Sequence, residues 1–171
     1  MRAFIGIPLT GVSEILQVMD HLKPDRRLRL EKPDDLHITV MFFPDLNSDQ
    51  VEEACAAIRN LHMKDFSITY SRISGFPDER SARVVVVMID SPELVEIHEI
   101  IGRSLHTETE KKFTPHLTLA RAKSRVSVPG LGIDQSIAEG KRETVSRIVL
   151  YESILGPAGA VHRPICVNQF M

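Results

Sequence analysis

Residues 37–40 read HITV and residues 116–119 read HLTL, the same order of histidine, aliphatic, threonine, aliphatic. Each copy follows a strand-like run and then a stretch with helical spacing: RAFIGI and residues 12–22 before the first, RVVVVMI and residues 92–106 before the second. Such a repeated unit predicts a pseudo-symmetric fold, built by an internal duplication too diverged to show in overall identity. Side chains alternate across a strand, so His37 and Thr39 share one face while Ile38 and Val40 take the other. His116 and Thr118 stand in the same relation to Leu117 and Leu119. With the aliphatic positions against packed helices, both His-Thr pairs line the opposite side, where a cleft brings them near each other.

The rest of the chain supplies the layers that this arrangement needs. Val12, Ile15, Leu16 and Met19 follow helical spacing up to Pro24. Val51, Ala54, Cys55 and Ile58 form a stripe that predicts a helix over 48–60, behind the capping pair Asn47 and Ser48. A third helix starts at Ser91 and Pro92, with Leu94, Ile97, Ile101 and Leu105 as its buried face. Strands are expected at 66–73, 83–89, 145–155 and 160–170. The fold class is therefore α+β or a mixed α/β sandwich.

Charge narrows the partners. Charged side chains nearly cancel, leaving a formal net charge of -2, so the chain has no broad field with which to coat nucleic acid. Any such contact must be local. Cys55 and Cys166 have neither metal-type spacing nor the density of a disulfide scaffold, the first residues do not read as a signal peptide, and no apolar run reaches a membrane-spanning length. The expectation is a cytoplasmic protein, monomeric, away from membranes.

Two histidines and two threonines on one face suit displacement at phosphorus. Imidazole, with an unperturbed pKa of about 6.5, leaves both protonation states accessible near neutrality. One histidine can then take a proton from the attacking water while the other gives one to the leaving oxygen. Threonine hydroxyls two residues along would hold the non-bridging oxygens as charge builds on them. No metal or cofactor is called for.

These residues resemble the 2H phosphoesterases, named for two His-x-Thr motifs and represented by the RNA 2',3'-cyclic phosphodiesterases, also known as 2'-5' RNA ligases. MRAFIGI is similar to the family's first strand, PDDLHITVMFF to its first motif segment, FPDERSARVVVV to its central loop and strand, FTPHLTLAR to its second motif and YESILGPAGAVHRPI to its C-terminal hairpin. The likeness runs over essentially the whole chain. It implies one domain over residues 1–171 with two interwoven lobes, each carrying one motif. Two mainly antiparallel sheets would line a positively charged central cleft, with helices packed outside. It also implies metal-independent opening of 2',3'-cyclic phosphates, at RNA ends or in cyclic nucleotides, to 2'-phosphates. Carried over by position, His116 is the proton acceptor and His37 the proton donor, and Thr39, Thr118 and Arg121 bind phosphate. Phe42 falls where an aromatic stacks on the base. Strict alternation puts Arg121 and Phe42 on the face away from the histidines, so each needs a bulge to reach the cleft. The family commonly has Phe-Leu-Gly after the first motif; this chain has FFP at 42–44, and Pro44, with no amide hydrogen, alters the exit of the strand.

Other readings compete. A lone histidine is more often structural than catalytic, and His21, His62, His98, His106 and His162 have no duplicated context to reverse that prior. Each His-x-Thr supplies one metal ligand, without a third at recognisable spacing. The basic residues Arg26, Arg27, Arg29, Lys111, Lys112, Lys123 and Arg125 are solvated charges unless the fold gathers them at the cleft, where they would hold RNA phosphates. Two functional alternatives stand beside hydrolysis: reversible 2'-5' joining of RNA ends such as tRNA halves, and recognition of RNA ends or nucleotides without turnover.

Overall fold

The computed structural model describes residues 1–107 and 112–171, and in them the two periodicities resolve into nine strands and three helices. In chain order these are β1 (Ala3–Pro8), α1 (Ser13–Leu22), β2 (Leu28–Leu30), β3 (His37–Phe43), α2 (Ser48–Arg59), β4 (Phe66–Phe76), β5 (Ala82–Asp90), α3 (Pro92–Ser104), β6 (His116–Val126), β7 (Arg142–Val145), β8 (Arg147–Gly156) and β9 (Gly159–Gln169). The helix starts follow the local chemistry. Asn47 accepts a hydrogen bond from the Gln50 amide and the Gln50 side chain accepts one from the Asn47 amide, both at 2.9 Å, closing a capping box on α2. At α3 the Ser91 hydroxyl accepts from the Leu94 amide at 3.2 Å, and Pro92 occupies the first turn.

The strands form a sheet in the order β7-β4-β5-β6-β3-β1-β8-β9, with β2 added to β6, and each of these pairings is antiparallel. Two halves are joined where β3 meets β6, and that junction has one residue pair in register, Ile38 with Leu117. Beyond it the two strands part. Leu28, Arg29 and Leu30 of β2 then take the edge of β6 at Ala122, Arg121 and Ala120. The parting of β3 from β6 opens the cleft on one face of the sheet.

On the other face lies the core. Ile38, Leu117 and Leu119 are fully buried with Ile15 of α1, Ile58 of α2 and Ile97 and Ile101 of α3. Each such side chain contributes roughly 1.5–3 kcal/mol of transfer free energy. The structure departs from the expected strands in two places. The run expected over 145–155 is divided at Ser146, whose carbonyl accepts from the Phe170 amide at 2.8 Å, in line with the β8–β9 register, and from the Gln169 side chain at 3.1 Å. And β2, at three residues within a charged stretch, is too short to show alternation.

The cysteines, whose spacing suggests neither a metal site nor a disulfide scaffold, are joined: Cys55 of α2 and Cys166 of β9 form a disulfide with Cα atoms 6.0 Å apart and a sequence separation of 111. Spacing along the chain held no sign of this, because α2 and β9 meet only through the fold. A second tie crosses the molecule at Glu143. Its carboxylate accepts from the Tyr70 hydroxyl at 2.6 Å, the Thr10 amide at 2.8 Å and the Gly11 amide at 3.0 Å, fixing the β1–α1 turn to β4 and β7. Glu143→Ala leaves these three donors and the Thr10 hydroxyl, which donates at 3.3 Å, without their acceptor and is expected to cost about 2–3 kcal/mol, read as a lower urea midpoint at unchanged m-value. A shift under about 0.5 kcal/mol would show that water replaces the carboxylate freely.

Candidate active site

Both motif strands carry a one-residue bulge, and the two bulges are equivalent. On β3, Met41 lies opposite Ile5 and Thr39 opposite Gly6, so Val40 is the extra residue. On β6, Ala120 lies opposite Val85 and Thr118 opposite Val86, so Leu119 is the extra residue. Past each bulge the alternation inverts. Val40 and Met41 are both buried and Phe42 is exposed; Leu119 and Ala120 are both buried and Arg121 is exposed. Phe42 and Arg121, each five residues after its histidine, thereby reach the histidine face that strict alternation denied them. Pro44 stands just past the end of β3, where no ladder hydrogen bond is required of it.

The histidines are held alike. The Nδ1–H of His37 donates to the Asp35 carbonyl at 2.7 Å, and the Nδ1–H of His116 donates to the Thr114 carbonyl at 2.8 Å. A carbonyl can only accept, so in both rings the proton sits on Nδ1 and Nε2 is left for chemistry. An aromatic ring backs each imidazole: Phe4 stacks on His37 with centroids 4.7 Å apart, and Phe76 meets His116 edge-on at 4.9 Å. Burial pushes the His37 imidazole below its ordinary pKa, against the opposing pull of the Asp35 carbonyl. Thr39 and Thr118 are half-buried on the same face, and among the described residues neither hydroxyl is engaged by another protein group.

A hollow of about 540 Å³ takes in His37, Thr39, Phe42 and Arg121, but not His116 or Thr118. Those two lie across the Ile38–Leu117 bridge. The bridge keeps the two motifs adjacent at the strand junction, with His37 just before Ile38 on one strand and Thr118 just after Leu117 on the other. Four cationic side chains (Arg2, Arg29, Lys32 and Arg121) and two carboxylates (Glu31 and Asp35) line the hollow, so positive charge concentrates there in a chain of net charge -2. Arg121 reaches Glu31 only at 3.5 Å and remains 65% exposed, a loose pairing that an anion can displace. The Arg2 guanidinium lies 4.8 Å from the Phe42 ring centre, and Phe42 keeps 45% exposure for a further stacking partner.

Sequence reasoning passed over the floor of this hollow. Phe4 is buried apart from the main core, between His37, Tyr151 at 5.1 Å and His162 at 4.9 Å. Gly6 makes that position possible: a Cβ there would stand 3.0 Å from the Phe4 ring. His162, which has no duplicated context in the sequence, lies within β9, lines the hollow and meets the His37 ring edge-on at 5.4 Å. A third bulge, between Leu150 and Tyr151 on the β8–β9 register, turns His162 to the cleft and Cys166 to the core. Burial, and then the neighbouring His37, hold its pKa below the ordinary value. No sequence signal marks it, since its partner rings come from three other strands. His98 packs flat on Phe113 at 4.3 Å, as a structural histidine does.

Of the basic residues, Arg29 lines the cleft, Arg27 pairs with Asp25 at 2.8 Å and Arg125 donates to the Ser81 carbonyl at 3.0 Å. Arg26, Lys112 and Lys123 are exposed away from it, and Lys111 lies outside the described residues. Among the described residues no three histidine, cysteine or carboxylate side chains gather as a metal would need, and no helix is long and apolar enough to cross a membrane.

One sheet face thus presents two equivalent His-x-Thr pairs beside an arginine, and the chain that carries them has relatives among known proteins. The family model described as LigT-like phosphoesterase matches residues 5–86, which include the first motif. The RNA 2',3'-cyclic phosphodiesterase of Methanothermobacter thermautotrophicus is 29% identical, with 95% of each chain covered, and that of Methanocaldococcus jannaschii is 27% identical, over 96% of this chain and 98% of its relative. The fold superimposes on TT0787 of Thermus thermophilus with a TM-score of 0.85 at 20% identity, covering 99% and 98% of the two chains. Escherichia coli LigT complexed with 3'-AMP gives 0.76 at 21% identity, over 99% and 97%. The chain is thus similar to the LigT-like phosphoesterases in sequence over residues 5–86 and shares their fold over nearly its whole length.

Proposed function

We propose that this protein hydrolyses 2',3'-cyclic phosphates, at RNA ends or in cyclic nucleotides, to 2'-phosphates without a metal. The observation that carries the proposal is the matched anchoring of His37 and His116 by backbone carbonyls, which frees both Nε2 atoms on one charged face. Water attacks phosphorus in line with the 3'-oxygen. His116, outside the enclosed hollow and nearer open solvent, takes the water proton through Nε2. His37, inside the hollow with the Phe42 surface that would hold the nucleoside, gives its Nε2 proton to the departing 3'-oxygen. The product keeps its phosphate on the 2'-oxygen and gains a 3'-hydroxyl. Thr39, Thr118 and Arg121 hold the non-bridging oxygens as negative charge accumulates on them. The relatives named as RNA 2',3'-cyclic phosphodiesterases support the same substrate class. Microscopic reversibility makes the same residues competent for the joining reaction, with the roles exchanged.

The test is turnover of a 2',3'-cyclic nucleotide in excess chelator, with identification of the hydroxyl that retains phosphate. A 3'-phosphate product, or loss of activity to chelator, would overturn the mechanism; binding without turnover would leave a recognition module. The pH profile checks the proton roles. As the acid, His37 must be protonated in the free enzyme, and burial depresses its pKa. So kcat/KM is expected to fall as pH rises through a value below about 6.5, while kcat, which reports the complex with a bound anion, falls at higher pH. A kcat/KM that climbs through that same low pKa would make His37 the base.

A further inference from the structure

We propose that Arg29 forms a second phosphate subsite, for the phosphodiester that joins the terminal nucleotide to the rest of an RNA chain. This rests on the function proposed above and refines its substrate: an RNA end over a cyclic mononucleotide. Arg29 of β2 lies directly opposite Arg121 of β6 in the ladder, and both side chains line the hollow. Like charges facing each other across a strand pair destabilise it unless an anion lies between or beside them. Arg121 has Glu31 as a loose partner at 3.5 Å, whereas among the described residues Arg29 has no carboxylate in salt-bridge contact. The two heads also part. Arg121 leans to Glu31, while the Arg29 guanidinium lies on the β8–β9 hairpin at Gly159, so close that a Cβ there would come within 2.7 Å of it. Two neighbouring guanidiniums with separate directions match two successive phosphates.

The hairpin supplies a surface to go with the charge. Leu155, 68% exposed, lines the hollow from the same hairpin and gives an apolar face for the sugar or base of the penultimate nucleotide. His162, also on β9, adds a polar one. Its Nδ1 is buried without a hydrogen-bond partner, which leaves Nε2 as the ring nitrogen available to a ligand. A cyclic mononucleotide has no second phosphate and leaves Arg29 and Leu155 without a ligand.

The experiment compares kcat/KM for a cyclic mononucleotide, for a dinucleotide with the same cyclic end, and for that dinucleotide with a neutral methylphosphonate linkage, in the wild type and in Arg29→Gln. The wild type is expected to prefer the charged dinucleotide. Arg29→Gln should lower the dinucleotide-to-mononucleotide ratio by about tenfold, through KM, as loss of one charge-assisted phosphate contact does. The neutral linkage should lower the wild-type ratio similarly and remove the further effect of the substitution. A ratio unmoved by Arg29→Gln, or equal losses on both substrates, would overturn the subsite. If the wild type turns over none of them, the proposed function fails separately. The subsite is then judged by calorimetric binding of 2'-phosphate-ended mono- and dinucleotides, and it falls if the dinucleotide binds no tighter.

Discussion

Replacing His37 or His116 with alanine is expected to lower kcat for a 2',3'-cyclic nucleotide by about 10²–10⁴-fold, the contribution of one positioned general acid or base. Replacing both should lower it little further, because a pair that moves protons in one displacement fails as a unit. Stability should barely change by comparison. Each ring makes one hydrogen bond, to the Asp35 or the Thr114 carbonyl, worth about 1 kcal/mol, and packs on Phe4 or Phe76 for about 0.5–1.5 kcal/mol more. Steady-state kinetics and thermal melting on the same preparations separate the two effects. A loss under tenfold for either variant would remove that histidine from the chemistry. A fall in activity matched by early melting would assign it a structural role instead.

Breaking the Cys55–Cys166 bond is expected to produce the largest change in stability. The two cysteines close a loop of 111 residues between α2 and β9. In the chain-entropy account, a cross-link over such a loop removes freedom from the unfolded chain worth about 4–5 kcal/mol. Reductant should therefore lower the unfolding midpoint of the wild type markedly and leave that of a Cys55→Ala, Cys166→Ala double variant where it is. Catalysis should change less than stability at temperatures where both forms remain folded, since Cys166 faces the core while His162, four residues earlier, faces the cleft. Equal midpoints with and without reductant would mean that the thiols are unpaired in solution or that the loop closure contributes nothing.

Most of the elements were legible in the chain because each is written in local periodicity. The stripe Val51, Ala54, Cys55 and Ile58 and the cap at Asn47 located α2, and Ser91 with Pro92 located the start of α3. The division at Ser146 and the short β2 were not legible, since both depend on partners far away: the Phe170 amide in one case and the edge of β6 in the other. The cleft shows the same contrast. His37, Thr39, His116 and Thr118 stand out because the pattern occurs twice at a spacing that puts both polar groups on one side of a strand. Phe4, Tyr151 and His162 stand out only after β1, β8 and β9 have been laid beside β3.

By itself, then, the sequence determined the repeated strand and helix units and the face on which the histidines and threonines lie, from which the proposed chemistry starts. These follow from side-chain periods of 2 and 3.6, which hold over a few neighbouring residues. The tertiary structure decided what the periods cannot carry. Bulges at Val40 and Leu119 turned Phe42 and Arg121 to the cleft, because an extra residue is recognisable only against the partner strand that skips it. The pairing of Cys55 with Cys166 and of Arg29 with Arg121 arose because sheet order brings together residues that chain order keeps apart.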